Sequence, residues 1–207
     1  MYHPRMNLYF VRHGESAGNA SRLHQNHAVE LSDLGREHAA AYGKRFKDMQ
    51  IDVIVASPYV RAKQTAEIIS NDIGLPIRFS DLLVEVKRPT VIEGRRIDEP
   101  EVMEIKKMIE ERYHDPDYRH SDEDTFALFS GRAREAKEYL NAIDAENILV
   151  VSHGDFIKMF LCVVLFGEKL EPWMYLQMRP LLEASHTGIT HFKKKGDEWF
   201  LSEWNAQ

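Results

Sequence analysis

The sequence predicts a three-layer α/β/α fold with a mostly parallel sheet, an antiparallel edge and a lid insertion. Three observations predict it. Short apolar runs at 6–11, 51–55 and 148–151 alternate with longer segments of helical periodicity, the pattern of a parallel sheet covered on both faces. Each run ends abruptly in polar, chemistry-bearing residues: Arg12-His13-Gly14, Ser57-Pro58 with Arg61, and Ser152-His153-Gly154. The tail carries two strand-like runs, 188–193 and 198–204, around the turn-forming Lys195-Gly196-Asp197, which suggests a hairpin extending one edge.

The elements follow in order. After the first strand, residues 15–27 are polar and read as a loop with room for a short helix. Ser32-Asp33 opens a helix to about Met49, with Leu34, His38, Ala41, Tyr42 and Phe46 as its inner face. After the second strand, Ser57 is placed as an N-cap with Pro58 at the first helical position, and Ala62, Ala66 and Ile69 share one face of a helix ending before Gly74. Ile77-Arg78-Phe79 is a short third strand. A helix is expected over 99–112, and a longer one over 124–144 with Phe126, Phe129, Ala133, Ala136, Leu140 and Ile143 at helical spacing. The run 148–151 and a helix over 155–166 complete the alternation. Residues 86–124 are too long for a simple connection and are expected to lie over the site as a lid, in which Met103 and Met108 would serve as packing. The whole chain, 1–207, is expected to form one domain.

Composition narrows the function classes. Hydrophobic residues make up 43% of the 207, enough for a core, and the net charge of −6 argues against nucleic acid as the main partner. The opening Met1-Tyr2-His3-Pro4-Arg5 lacks a secretory apolar segment, and no run approaches a membrane span. One cysteine, Cys162, excludes an internal disulfide and is expected to be a packed thiol. A cytoplasmic protein without membrane or nucleic-acid partners is the expectation; oligomeric state is not readable.

The strand ends supply the chemistry. Open α/β sheets place ligands at those edges. Arg12 and Arg61 can each offer a planar fork of donors to phosphate oxygens, Arg61 from the first turn of a helix, and a His153 imidazolium would add a third cation. His13 has a different part: a neutral imidazole nitrogen is a nucleophile toward phosphorus, and neighbouring cations disfavour its protonation. The leaving alkoxide needs a proton, and Glu85, shortly after the third strand, is the best-placed carboxyl, with Glu15 as its competitor. Asp155 reads as a helix N-terminal residue. Lys87, Arg88, Arg95 and Arg96 would either solvate a loop or face the pocket and select extra negative charge. His114 and His120 lie among Asp115, Asp117, Asp122 and Asp124 without a spacing that fixes a metal site.

Taken together, Arg12-His13-Gly14-Glu15-Ser16, Ser57-Pro58-x-x-Arg61-Ala62-x-Gln64-Thr65-Ala66, Glu85 and Ser152-His153-Gly154 resemble the motifs of the histidine phosphatase superfamily (phosphoglycerate mutase-like), in order and at compatible spacings. Leu31-Ser32-x-x-Gly35 and Thr187-Gly188-Ile189-Thr190 extend the likeness over most of the chain except 86–124. The resemblance implies that His13 becomes phosphorylated, that Arg12, Arg61 and His153 bind the phosphoryl group, that Glu85 donates the proton, that Asn19 helps line the pocket, and that neither metal nor cofactor is needed. The activity so implied is phosphomonoester hydrolysis through a phosphohistidine on His13, with a small phosphate ester or a phosphoprotein as substrate. Mutase-type phosphoryl transfer and a non-catalytic phospholigand scaffold are the alternatives. Two departures stand out: Val86-Lys87-Arg88-Pro89-Thr90 replaces the Arg-His-Tyr-Gly type segment of mutases, and His186 stands where related phosphatases often carry Asn.

Overall fold

Branched and aromatic runs that can be buried on both faces make the centre of the sheet. In a computed structural model, which describes residues 5–207, β1 (Arg5–Arg12), β2 (Val53–Ala56), β3 (Ile77–Phe79) and β4 (Asn147–Ser152) run parallel. β5 (Ile189–Lys195) and β6 (Glu198–Ala206) add the antiparallel edge, giving one sheet of order β3-β2-β4-β1-β5-β6. Met1–Pro4 of the opening stretch lie outside the described residues.

The helices divide by face. α2 (Asp33–Lys47) and α3 (Val60–Ile73) cover one side, where Tyr42, Phe46, Ala62, Ala66 and Ile69 meet Val11, Ile54, Leu149 and Val151. α5 (Phe126–Asn141) and α6 (Gly154–Phe166) cover the other, where Phe129, Ala133, Phe156 and Phe160 meet Leu8, Phe10, Ile148 and Val150. Alternate residues of each strand thus serve opposite cores. The other helices are a one-turn α1 (Ala17–Ala20) before α2, α4 (Pro100–Glu111) within the 86–124 insertion, and α7 (Pro172–Met178) after α6; the last of these the sequence reading did not anticipate. Cys162 is fully buried in α6, where burial pushes its thiol up to about 11, as suits a packing residue. Among the described residues no helix is long and apolar enough to cross a membrane.

Three local expectations are corrected. The inner face of α2 is rotated: Leu34 and Ala41 are exposed, and Gly35, Ala39 and Gly43 are buried beside Tyr42 and Phe46. Close backbone approach selects that face, since a Cβ on Gly35 would lie 1.8 Å from the Glu15 carbonyl oxygen and one on Gly43 would lie 2.0 Å from an Asp72 carboxylate oxygen. Ser57 does not cap α3; Tyr59 is the N-cap and Val60 the first helical residue, because the Ser57 hydroxyl is engaged at the neighbouring strand end. Met103 and Met108 are exposed, and α4 packs instead through Val102, Ile105 and Ile109 on Ile92.

The insertion is tied at two places. Leu23 and Arg96 form a β-bridge, with Ile97 N–H donating to the Arg22 carbonyl (3.0 Å), His24 N–H to the Arg95 carbonyl (2.9 Å) and Gly94 N–H to the His24 carbonyl (2.8 Å). At its other end Asp124 N–H donates to the Lys87 carbonyl (3.0 Å) and Lys87 N–H to the Asp124 carboxylate (2.9 Å). Its acidic stretch is spent internally: Asp122 accepts from Thr90 and pairs with Lys87, and Glu123 accepts the His120 and Ser121 N–H groups.

Candidate active site

Register brings the polar strand ends together. Arg12 pairs with Ser152 across β1 and β4, so His13 and His153 leave adjacent strands at the same level, and His13 N–H donates to the Ser152 carbonyl (2.9 Å). Ala56 pairs with Val151, placing Ser57 one residue beyond, with its N–H on the Val151 carbonyl (3.0 Å). β4 and β1 are also where the sheet order reverses, the usual place for a ligand crevice.

His13 is buried and its hydrogen bonds define its tautomer. The Gly14 carbonyl can only accept, so Nδ1 carries the hydrogen and donates to it at 2.7 Å. Nε2 is then the lone-pair nitrogen, and Arg61 Nε–H donates to it at 3.2 Å. Burial first, then Arg61, His153, Arg12 and His186, hold the imidazole pKa well below its ordinary 6.5. Gly14 is fixed in turn: its N–H donates to Thr65 Oγ1 (3.0 Å), and a Cβ there would lie 2.2 Å from the Gly35 carbonyl oxygen.

Two cations flank the imidazole. Arg61, in the first turn of α3, also donates from Nη1 to the Asn26 carbonyl (2.8 Å). Arg12 donates from Nη1 to the Ala184 carbonyl (2.8 Å), while its Nε is buried without a protein partner. His153 lies with its ring 5.2 Å from that of His13. Against the expectation of an imidazolium at His153, burial and then Arg61, Arg12 and Arg132 hold its pKa well below 6.5. Its Nε2 lies 2.8 Å from Ser57 Oγ. Ser57 Oγ also accepts the Tyr59 N–H (3.3 Å), and we assign its hydroxyl as donor to Nε2, one of the two senses the contact allows. That leaves Nδ1–H of His153 as a second buried donor without a partner.

Glu85 stands at the cleft wall against the start of α6. Oε1 accepts the Val86 (3.0 Å) and Phe156 (2.9 Å) N–H groups, and Oε2 accepts only the Asp155 N–H (3.1 Å). Burial, and then the Asp155 charge, raise its pKa above the ordinary carboxylate value against the pull of those donors. Glu15, the competitor, instead accepts the Ser32 hydroxyl at 2.8 Å. Asn19 lines the cleft, with its Oδ1 accepting the Ser16 N–H (3.3 Å) in a capping box over α1.

The cleft encloses about 360 Å³, and Arg12, His13, Asn19, Arg61 and Glu85 all line it. His153 meets it through His13 and Tyr59, whose ring centroid is 5.3 Å away. Of the four insertion cations singled out in the sequence, Lys87 and Arg88 reach the cleft; Arg95 pairs with Glu99 and Glu101, and Arg96 with Asp98. Asp155, in the first turn of α6 as expected, is bonded to Arg88 at 2.6 Å. His186 now has an account: its Nδ1–H donates to the His13 carbonyl (2.7 Å), tying the 182–188 segment to the first strand end.

Several contributors were not singled out in the sequence: Ser57 as the partner of His153, the Asn26 and Ala184 carbonyls that aim the arginines, and Lys106 of α4 at the cleft wall. The carbonyls carry no side-chain signature. Lys106 reads as any exposed helix lysine until α4 is placed.

The comparisons agree with this geometry. Residues 8–207 match the model of the histidine phosphatase superfamily (branch 1). A Bacillus subtilis (strain 168) protein named uncharacterized phosphatase PhoE is 30% identical over 199 residues, covering 94% of this chain and 92% of its own. A Salmonella arizonae protein named probable phosphoglycerate mutase GpmB is 28% identical over 204 residues, covering 96% and 90%. Among solved structures, a mycobacterial glucosyl-3-phosphoglycerate phosphatase complexed with VO3 superposes with a TM-score of 0.79 at 24% identity, covering 98% of this chain and 100% of its own. A sheet of this order, with Arg-His-Gly and Ser-His-Gly at adjacent strand ends and a matching model over 8–207, places the chain in the histidine phosphatase superfamily, to which it belongs.

Proposed function

We propose that the chain is a phosphomonoesterase acting through a phosphohistidine on His13. The observation that carries this reading is the pair of buried nitrogens without protein partners, Arg12 Nε and His153 Nδ1, beside Nε2 of His13; with the tautomer assigned above both are donors. Buried donors without acceptors are costly unless a ligand supplies one. A phosphate monoester supplies three oxygens, and Arg61 adds further N–H groups.

In this reading Nε2 of His13 forms a bond to phosphorus as the ester P–O bond breaks, and the charge moving onto the phosphoryl oxygens meets donors already in place. The leaving alkoxide takes a proton from Glu85. Oε2, with a single N–H donor, has a free position for that proton. Glu85 then removes a proton from the water that attacks the phosphohistidine, releasing phosphate and restoring His13. Asn19 lines the phosphoryl pocket, and the chain works as one domain, 1–207, whose 86–124 insertion forms a wall of the cleft. The single cysteine fits a reducing, cytoplasmic setting. PhoE, a relative named as a phosphatase, supports the reading.

The likeness to a protein named phosphoglycerate mutase favours one second reading, in which the phosphohistidine is passed to a second hydroxyl. Incubation with a 32P-labelled monoester separates the two: label appears as inorganic phosphate in the first and in phosphoglycerate in the second. Acid-labile label on the protein is expected to vanish in His13→Ala, together with at least about 10³-fold of the turnover. Full hydrolysis by that variant would overturn the nucleophile assignment.

A further inference from the structure

Besides the phosphoryl-binding side chains the cleft has further polar groups. Lys106, projecting from α4, lines it and has no carboxylate within 4.0 Å among the described residues, whereas Lys87 is paired with Asp122 (2.9 Å) and Arg88 with Asp155 (2.6 Å). His24 lines the same cleft, and its Nε2 is buried with no hydrogen-bond partner. These two side chains come from different segments, yet the bridge between Leu23 and Arg96 locks those segments together, so their spacing is built into the fold.

We propose that Lys106 and His24 form a second anion subsite, so that the preferred substrate is a small phosphate ester bearing a second negatively charged group, a carboxylate or a further phosphate. The proposal rests on the phosphomonoesterase reading for what happens at His13, but not for binding.

Electrostatics agree with the geometry. Burial and then the charges of Arg88 and Lys106 lower the His24 pKa to about 4, so near neutral pH it is an uncharged ring able to donate from Nε2. Burial and the nearby Arg88 also lower the Lys106 pKa, the mark of an ammonium short of counter-charge. Glu93 also lines the cleft without an ion pair among the described residues, and it disfavours substrates whose second group sits against it. An incoming anion would receive a charge-assisted bond from Lys106 and a neutral one from His24.

The test compares matched esters on the full chain: 3-phosphoglycerate against sn-glycerol 3-phosphate for a carboxylate, and fructose 1,6-bisphosphate against fructose 6-phosphate for a second phosphate. One charge-assisted bond is worth roughly 10- to 100-fold in affinity. At least one doubly anionic member is therefore expected to lead its partner by about that factor in kcat/KM. Lys106→Met is expected to remove the preference through KM while leaving sn-glycerol 3-phosphate and p-nitrophenyl phosphate within about twofold. Lys106→Glu is expected to invert it. Equal kcat/KM for both members of both pairs, or an equal loss on all esters in Lys106→Met, would overturn the subsite. If no ester is turned over, calorimetric titration of the same pairs onto the intact protein still reads it. A preference in affinity that Lys106→Met abolishes then upholds the subsite while the hydrolase reading fails.

Discussion

A neutral imidazole can attack phosphorus only if its lone pair is free of protons at working pH and aimed into the cleft. At His13 both conditions come from neighbours: the Gly14 carbonyl takes the Nδ1–H, and burial with Arg61 and Arg12 disfavours a second proton. Glu85 is tuned the opposite way, burial raising its pKa so that it can hold a proton to give. The pH profile follows from these directions. In the proposed reaction His13 must be unprotonated and Glu85 protonated, so activity is expected to be lost at low pH through a pKa below 6.5 and at high pH through one above the ordinary carboxylate value. Glu85→Gln is expected to lower kcat on an alkyl phosphate by roughly 10²- to 10⁴-fold and to abolish the alkaline limb. The loss should be much smaller on p-nitrophenyl phosphate, whose phenolate leaves without help. An unchanged alkaline limb in steady-state profiles of Glu85→Gln would show that another group donates the proton.

At the scale of elements, the first strand end is held by backbone contacts as well as by the side chains of Thr65 and His186. Gly14 and Glu15 lie against the start of α2, Ser32 N–H donates to the Glu15 carbonyl (3.0 Å), and Gly35 fits only because it lacks a Cβ. The same contact that turns α2 away from its Leu34 face therefore seats His13. Gly35→Ala is expected to destabilise the protein by about 3 kcal/mol or more, since backbone must shift to relieve a 1.8 Å approach. Urea unfolding measures the loss, and the surviving folded protein should show reduced turnover. An alanine variant as stable as the parent would mean that α2 can slide without cost. In the insertion, α4 rests on Ile92 with Val102 and Ile105, a small cluster apart from both main cores, so its placement depends on the stitching at Leu23 and Arg96 and on the Glu110–Arg179 ion pair.

Across the whole molecule, at least four histidines are kept from protonating by the fold. His13 and His153 lie well below 6.5, and His24 and His186 at about 4. An unfolded chain binds protons at these rings as pH falls below about 6.5, while the native state does not. Their contribution to stability is thus full above pH 6.5 and is lost as pH falls toward their folded values. The Glu85 shift acts in the opposite sense, but it is one group against four. Denaturant unfolding at pH 7, 6 and 5 should show progressive loss, with net proton uptake on unfolding near pH 6. A flat profile would show that these rings titrate normally in the folded chain.

The α/β alternation, the parallel core strands, the tail hairpin and the residues Arg12, His13, Arg61, Glu85 and His153 were all legible in the sequence, because strand periodicity and polar strand ends are local properties of the chain. The sequence alone also sufficed for the family, through motifs that lie within short segments. What only the tertiary structure decided depends on distance between segments. The buried face of α2 is chosen by glycine contacts with Glu15 and Asp72, and Ser57 leaves the helix cap for His153. Burial and neighbouring cations lower the His153 pKa, and only Lys87 and Arg88 of the four insertion cations turn toward the cleft while Lys106 joins them from α4. Charge state and orientation at a site are set by what other strands and loops bring near, and no local pattern encodes that.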